Sequence, residues 1–174
     1  MLPMRKLPLL ICLLLGSCAG LPEGVRPVQN FTLERFLGTW YEIARLDHSF
    51  ERGLSRVTAE YSLNDDGTVK VVNRGFSEQR GTWKSAEGKA RFVESEDLGY
   101  LKVSFFGPFY GSYIVAELDE ETYRYALISG PNKDYLWLLA RTPTIETAVK
   151  TRLIAKAKDL GFAVENLIYV DHDL

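Results

Sequence analysis

The stretch FLGTWYEIAR, residues 36–45, contains the residues that decide the fold. From Gly38 onward its residue types alternate with a period of two, which is typical of a β-strand with one buried face. Trp40, the largest apolar side chain in the stretch, stands near the start of this strand. One other stretch is comparably dense in apolar residues, LWLLARTP (residues 136–143), and it contains Arg141 near its end. A fold that fits this sequence must explain both the tryptophan and the arginine.

Short strands separated by turns make up most of the chain. Turn signals recur about every ten residues from Gly38 onward, and no strand–helix–strand alternation lies between them. Sequential hairpins of this spacing favour an all-β fold, an eight-stranded antiparallel up-and-down barrel, over a sandwich, which usually needs longer crossovers. The predicted strands are 38–46, 54–63, 68–76, 80–84 continuing as 88–94 after a turn at 86–88, 100–106, 111–118, 122–129 and 135–141.

One helix and two short elements complete the predicted fold. Apolar residues recur at helical spacing over residues 145–160, Thr144 can cap the start of this helix, and Gly161 suits its C-terminal end. We expect the apolar stripe of the helix to pack against the outside of the barrel. Residues 166–170 are typical of a short ninth strand, and residues 30–37 of a helical turn that plugs one end of the barrel.

The tryptophan and the arginine can close one end of the barrel together. An inward-pointing Trp40 makes a floor, and Gly38 lets the plugging segment approach closely. Arg141, at the end of the last strand, can lie over the indole face while its guanidinium bonds to main-chain carbonyl groups of the plug. We therefore predict that these three residues close the barrel.

These motifs resemble those of the lipocalin family. The glycine–x–tryptophan motif of the family is present as Gly38-Thr39-Trp40, and its arginine motif as Arg141 of LLARTP, which the helix follows. The middle motif, usually written TDY, is matched only loosely by LDEETYRY, residues 118–125. The resemblance covers nearly all of the chain after its first 29 residues and implies a lipocalin domain over residues 30–174.

A short N-terminal segment stands apart from this domain. Arg5 and Lys6 precede the apolar run LPLLICLLLG (residues 7–16), which is too short to span a bilayer and is typical of a secretory signal. The following LGSC resembles the lipobox of bacterial lipoproteins. It implies a signal peptide over residues 1–17, lipidation of Cys18, and a tether over residues 18–29; the alternative is a plain secretory signal with a chance cysteine.

Taken together, the lipobox and the family motifs resemble those of bacterial outer-membrane lipoprotein lipocalins. Ala19 follows the cysteine where an aspartate would favour the inner membrane, so we expect a lipid-anchored protein at the periplasmic face of the outer membrane. The resemblance implies a carrier or store of a fatty acid or lysophospholipid for envelope maintenance, without a cofactor. The alternative is a membrane-tethered structural or docking lipoprotein whose barrel is filled.

Strand phase predicts which residues face the barrel interior. An inward Trp40 turns Glu42 and Ala44 inward as well, and the same alternation turns Glu117 inward on the sixth strand. A one-residue bulge would invert any of these phases, and a filled core is the alternative for every residue. The predicted ligand-binding residues, mainly apolar and suited to an acyl chain, are Glu42, Ala59, Val71, Asn73, Val103, Phe105, Tyr113, Val115, Trp137 and Leu139.

The segment FFGPFYG, residues 105–111, places four aromatic residues on the hairpin at the predicted open mouth of the barrel. They can pack inward as a lid, or project as a patch that touches the membrane or forms a homodimer. We expect partial exposure. Inside the barrel, Glu42 must be protonated or paired, because an isolated buried charge is too costly.

The charged residues and the histidines disfavour other functions. The 21 basic and 23 acidic residues form no basic block, which argues against nucleic acid as a partner. His48 and His172 are the two histidines, and neither lies in a recognisable catalytic motif or metal-ligand spacing, so we expect neither an enzyme nor a metal site. We interpret His48 beside Asp47 as a solvated loop pair.

Overall fold

The computed structural model describes residues 20–173, which form a barrel of β-strands with one long helix on its outside. The predicted signal peptide, Cys18 and Ala19 lie outside the described residues. The helical elements are α1 (Leu33–Phe36), α2 (Thr147–Asp159) and a 3₁₀ turn at Val164–Asn166. The strands are β1 (Gly38–Arg45), β2 (Leu54–Leu63), β3 (Val69–Ser77), β4 (Thr82–Phe92), β5 (Tyr100–Phe106), β6 (Phe109–Leu118), β7 (Tyr125–Ser129), β8 (Leu136–Ala140) and β9 (Ile168–Tyr169).

Strands β1 to β8 form a closed antiparallel meander. Each strand pairs with the next one along the chain, and β1 pairs with both β2 and β8. The short β9 adds to β1 at Ala44 and Arg45. The predicted eight-stranded up-and-down barrel with a C-terminal helix and a ninth strand is therefore confirmed.

The meander gives the barrel two distinct ends. The closed end holds α1 and the start of β1, together with the β2–β3, β4–β5 and β6–β7 connections. The other end, which we call the mouth, holds the connections β1–β2 (46–53), β3–β4 (78–81), β5–β6 (107–108) and β7–β8 (130–135).

Two apolar cores lie on the two faces of the barrel wall. Helix α2 contributes Leu153 and Ala157 to the outer core, which joins the helix to the wall, and burying a leucine in this way stabilises the fold by about 1.5–3 kcal/mol. No helix in the described part of the chain is both long and apolar enough to cross a membrane. The inner core, centred on the closed end, consists of Phe31, Phe36, Trp40, Tyr61, Val69, Val71, Ala90, Leu101, Val115, Leu118, Tyr123, Ala126, Ile128 and Leu139.

Two local predictions about the elements were wrong. The predicted turn at 86–88 is absent because β4 runs continuously past it. Gly88 is needed there for packing, since a Cβ atom would lie 2.8 Å from the ring of Phe105 on the neighbouring strand. The predicted cap Thr144 does not cap α2 either: the N-cap is Glu146, without a side-chain hydrogen bond, and the Thr144 carbonyl accepts from the Thr142 hydroxyl.

Bulges reverse the phase of two strands. In β1 the register shifts between Glu42 and Ala44, so Ala44 joins the outer core. In β6 it shifts between Val115 and Glu117, and Glu117 pairs with Arg152 of α2 at 3.3 Å. The predictions that Ala44 and Glu117 face the interior were therefore wrong.

A C-terminal segment completes the seam between β1 and β2 near the mouth. These two strands pair directly only over the first half of β1, from Gly38 to Tyr41. Beyond that point the Val170 amide donates to the Ile43 carbonyl at 3.1 Å, and the Arg56 amide donates to the Asp171 carbonyl at 2.7 Å. Residues 168–171 thus bridge the second half of β1 to the start of β2.

Candidate functional site

The closed end of the barrel is sealed around Trp40. Its indole lies 4.7 Å from the Phe36 ring, and Nε1 donates to the Phe36 carbonyl at 2.8 Å. The guanidinium of Arg141 lies 4.0 Å from the indole centroid. Nη1 and Nη2 of Arg141 donate to the carbonyls of Thr39 and Arg35 at 2.9 and 2.7 Å. Arginine, indole and the plugging helix α1 therefore form one connected unit.

Gly38 supports this unit through its backbone. Its φ of +92° lies in the region that side chains disfavour, and a Cβ atom there would lie 3.4 Å from Nη1 of Arg141. The group that approaches Gly38 closely is thus the Arg141 side chain. The prediction that the plugging segment makes this close approach was wrong.

A cavity of about 290 Å³ occupies the mouth half of the barrel. All the predicted ligand-binding residues except Val115 line it; whether they bind a ligand stays a prediction. Val115 is buried outside the cavity. Its amide donates to the Gly99 carbonyl, and its own carbonyl accepts from the Val28 amide. The lining residues are Glu42, Phe50, Glu51, Val57, Thr58, Ala59, Tyr61, Val71, Asn73, Val103, Phe105, Gly111, Ser112, Tyr113, Ile128, Pro131, Tyr135, Trp137 and Leu139.

Two tyrosines separate this cavity from the packed floor. The hydroxyl groups of Tyr61 on β2 and Tyr113 on β6 lie 2.7 Å apart and bond across the interior. Burial raises the pKa of both tyrosines, so they stay protonated. On the side of the packed floor, the same two tyrosines border a void of about 10 Å³.

A buried charged cluster stands at the side of the cavity. The β1 bulge turns Arg45 inward, where Nη1 donates to Oε1 of Glu42 at 2.6 Å and Nη2 to the Glu51 carbonyl at 2.9 Å. Trp137 Nε1 donates to Oε2 of Glu51 at 3.0 Å. Nε2 of His48 lies 3.0 Å from the same Oε2, an ion-pair distance without good hydrogen-bond alignment. Glu42 is thus paired, as required for a buried carboxyl.

The two carboxyl groups of this cluster differ in pKa. Burial raises the pKa of Glu42 well above its usual range, and the nearby charge of Glu51 adds to this against the pull of Arg45. Burial also opposes ionisation of Glu51, but the contacts with His48 and Trp137 and the charge of Arg45 outweigh it and lower its pKa. We conclude that Glu42 holds a proton more tightly than Glu51.

His48 does not form the predicted solvated pair with Asp47. Its ring is buried and lies 4.0 Å from the Phe50 ring in a stacked arrangement. Asp47 instead pairs with Arg52 at 2.6 Å on the surface. No pattern in the sequence predicts this inward turn, because loop 46–53 carries no strand or helix periodicity. Within residues 20–173, no group of three or more His, Cys, Asp or Glu residues is arranged to hold a metal.

The aromatic hairpin between β5 and β6 divides between the interior and the solvent. Phe105 lines the cavity, whereas the side chains of Phe106 and Phe109 are 77% and 79% exposed. Tyr110 lies on the outer wall, where the guanidinium of Arg91 is 4.9 Å from its ring centroid. The hairpin therefore projects beyond the mouth, which matches the expected partial exposure, and does not close it as a lid.

Comparison with known proteins identifies relatives that agree on one family. A lipocalin-like domain matches residues 31–172. The outer membrane lipoprotein Blc of Vibrio cholerae is 60% identical over 168 residues, covering 96% of this chain and 98% of that protein. The protein of the same name from Escherichia coli strain K12 is 53% identical over 173 residues, covering 96% and 97%. Apolipoprotein D of Rattus norvegicus is 31% identical over 159 residues, covering 86% and 80%.

Solved structures share the architecture. Insecticyanin from the tobacco hornworm Manduca sexta has a TM-score of 0.69 and 24% identity, with coverage of 88% of this chain and 87% of that one. Lobster apocrustacyanin A1 has a TM-score of 0.63 and 15% identity, with coverage of 88% and 93%. At these identities the likeness shows the fold alone.

Proposed function

Because the chain belongs to the lipocalin-like family, we propose that it is a lipid-anchored carrier of the bacterial outer membrane that holds one fatty acid or lysophospholipid in its barrel. The cavity in the mouth half of the barrel is the observation that carries this proposal. Its floor is sealed and packed around Trp40, so a ligand enters and leaves on the mouth side of the barrel.

The cavity lining supports an acyl chain as the buried part of the ligand. Side chains such as Val71, Val103, Phe105 and Leu139 present apolar surface to the bore. Each methylene transferred from water to this lining contributes about 0.8 kcal/mol before the cost of ordering the chain. Affinity therefore comes mainly from chain burial.

Polar groups at the wall of the cavity support contact with a polar head. Asn73 lines the cavity, and its Oδ1 is buried without a hydrogen-bond partner among residues 20–173. A hydroxyl of a glycerol backbone would supply the missing donor, since an unpaired buried acceptor is costly. The Trp137 indole N–H, by contrast, is already engaged by Glu51.

The names of the relatives support the cellular location. The Vibrio and Escherichia proteins are both called outer membrane lipoproteins, and they match this chain over nearly its full length. Their location, together with the LGSC motif, supports acylation of Cys18 and attachment at the periplasmic face.

Native mass spectrometry of the acylated protein tests the proposal. The purified protein is stripped of lipid, refolded, and mixed with a lysophospholipid or with a long-chain fatty acid. We expect a one-to-one adduct with at least one of them. Refolded protein that takes up no amphiphile would contradict the carrier role and support the docking lipoprotein with a filled barrel. A chemically altered ligand in the spectrum would indicate an enzyme.

A further inference from the structure

A side groove leads from the cavity to the barrel surface. It lies between β4 and the β5–β6 hairpin and has a volume of about 350 Å³. The wall is open here because β4 pairs with β5 only from Phe92 to Lys89, whereas β4 continues to Thr82 at the mouth. Five residues line both the groove and the cavity, so the two are continuous: Phe50, Glu51, Val57, Asn73 and Phe105.

The rim of this groove is apolar and faces solvent. Phe106 and Phe109 line it and are the most exposed large apolar side chains in the described part of the chain, and Phe50 across the groove is more than half exposed. Clustered phenyl rings at the rim of a cleft mark an interaction surface, because water does not favour them. We call Phe50, Phe106 and Phe109 the mouth patch.

The N-terminal tether leaves the barrel beside the mouth patch. The Ser112 hydroxyl donates to the Gly20 carbonyl at 2.9 Å, which fixes the start of the described chain to β6. Ser112 is three residues from Phe109 along this strand, which corresponds to roughly 10 Å. Cys18 precedes Gly20 by two residues and can extend at most about 7 Å from it. An acyl anchor on Cys18 therefore holds a bilayer close to the mouth patch.

Charge at the groove fits a phospholipid surface. Arg74 and Lys84 line the groove and are exposed beside the phenyl rings. Cations next to apolar groups match the order of a bilayer surface, in which phosphates lie above the acyl chains. Glu51 also lines the groove, but it is buried and held by Trp137.

We propose that the mouth patch docks on the phospholipid bilayer that holds the anchor, and that the side groove passes one acyl chain from that bilayer into the cavity. Phe106 and Phe109 enter the acyl region, while Arg74 and Lys84 meet the phosphates. The transferred chain then avoids crossing water. The groove step rests on the proposed carrier function; the docking of the patch can be tested without it.

Spin labels on single introduced cysteines test the docking. Acylated Phe109→Cys and Leu63→Cys proteins are labelled and reconstituted in vesicles of phosphatidylethanolamine and phosphatidylglycerol. Leu63 is the control, because it is an exposed apolar residue at the closed end. We expect the label at 109 to be accessible to oxygen and shielded from a water-soluble nickel chelate, and the label at 63 to be open to the chelate. Equal access of the chelate to both labels would overturn the proposal. Shielding of the label at 109 from both oxygen and the nickel chelate would also overturn the proposal. Dipolar broadening of the spectrum would then indicate that a second copy of the protein covers the mouth patch.

Transfer measurements test the groove. In the double variant Phe106→Ser, Phe109→Ser we expect uptake of a fluorescent lysophospholipid from the anchoring vesicles to slow at least about tenfold. Uptake of the same lipid dissolved below its micelle concentration should be unchanged, and Leu63→Ser should change neither rate. Equal loss of both uptakes would overturn the docking role and place the two rings in the binding site. If the unsubstituted protein binds no dissolved lipid, the carrier function fails, and the spin labels still decide the docking.

Discussion

The guanidinium of Arg141 lies 4.0 Å from the centroid of the Trp40 indole, although Trp40 lies in β1 and Arg141 directly follows β8. The same guanidinium reaches the carbonyls of Thr39 and Arg35, while its Nε donates to the Tyr123 carbonyl at 3.2 Å. One side chain thus joins the start of β1, the plugging helix and the β6–β7 connection. We conclude that the floor of the barrel depends on the planar, forked shape of arginine.

Substituting this arginine should lower stability even when the positive charge is kept. Arg141→Lys loses the fork and leaves at least two carbonyls without their donor, so we expect the free energy of unfolding to fall by about 1–3 kcal/mol. Urea denaturation followed by tryptophan fluorescence measures this. The control is Arg80→Lys on the exposed β3–β4 turn, which should change stability by less than about 0.5 kcal/mol. Equal effects of the two substitutions would contradict the role of Arg141.

The hydroxyl pair of Tyr61 and Tyr113 predicts a strong coupling. Tyr113→Phe leaves the buried Tyr61 hydroxyl without its partner and should cost about 1–3 kcal/mol in unfolding free energy. The double variant Tyr61→Phe, Tyr113→Phe removes both hydroxyls and should be close to the unsubstituted protein. A double-mutant cycle in urea gives the coupling energy. Additive losses would show that the hydroxyls do not depend on each other.

The raised pKa of Glu42 predicts how stability depends on pH. The unfolded chain releases this proton near the usual value of about 4.3, whereas the folded protein releases it at higher pH. Between these values the unfolded state binds fewer protons, so the unfolding free energy falls as pH rises. Glu42→Gln cannot ionise at this position, and its stability relative to the unsubstituted protein should therefore increase as pH rises above about 4, the usual range of a glutamate pKa.

A matched control for this pH dependence is Glu51→Gln. The pKa of Glu51 is lowered, so its charge stabilises the folded state above its usual pKa, and this contribution is lost as pH falls. Its removal should reverse the trend: the relative stability of Glu51→Gln should decrease as pH rises. The midpoints of urea denaturation at a series of pH values measure both trends. Parallel pH profiles for Glu42→Gln and Glu51→Gln would contradict the opposite pKa shifts of the two carboxyl groups.

Filling the cavity should separate ligand binding from folding. Ala59 lies on the cavity wall opposite Trp40 in the β1–β2 pair, just above the packed floor. Ala59→Phe places a ring where the end of an acyl chain would lie, so we expect affinity for a fluorescent fatty acid to fall at least about tenfold, or about 1.4 kcal/mol. The thermal midpoint should stay the same or rise. Ala155→Phe, on the exposed face of α2, should leave binding unchanged. Full binding by Ala59→Phe would place the ligand elsewhere.

Much of the fold follows from local patterns in the sequence. Turn signals and period-two runs predicted all eight barrel strands, and the motif residues Gly38, Trp40 and Arg141 correctly indicated the family. Such patterns are readable because each hairpin is formed by neighbouring segments of the chain. The end of β1 was different: its bulge after Glu42 follows from how β1 meets β8, two strands that are distant in sequence.

The charged cluster shows the consequence of that bulge. Strict alternation from Trp40 predicted Glu42 at the interior but left its partner Arg45 on the outside. With one extra residue in β1, Arg45 turns inward and pairs with Glu42. Glu51 and His48 were missed for a related reason, since their positions depend on a loop that folds over Trp137 of β8. Periodicity cannot predict contacts of this kind.

The bridge that residues 168–171 form between β1 and β2 constrains the order of assembly. During export, β1 and β2 emerge long before the segment that joins their mouth-side halves. The wall of the barrel consequently stays split on that side until the segment after α2 arrives, and a chain stalled before it exposes an unpaired strand edge.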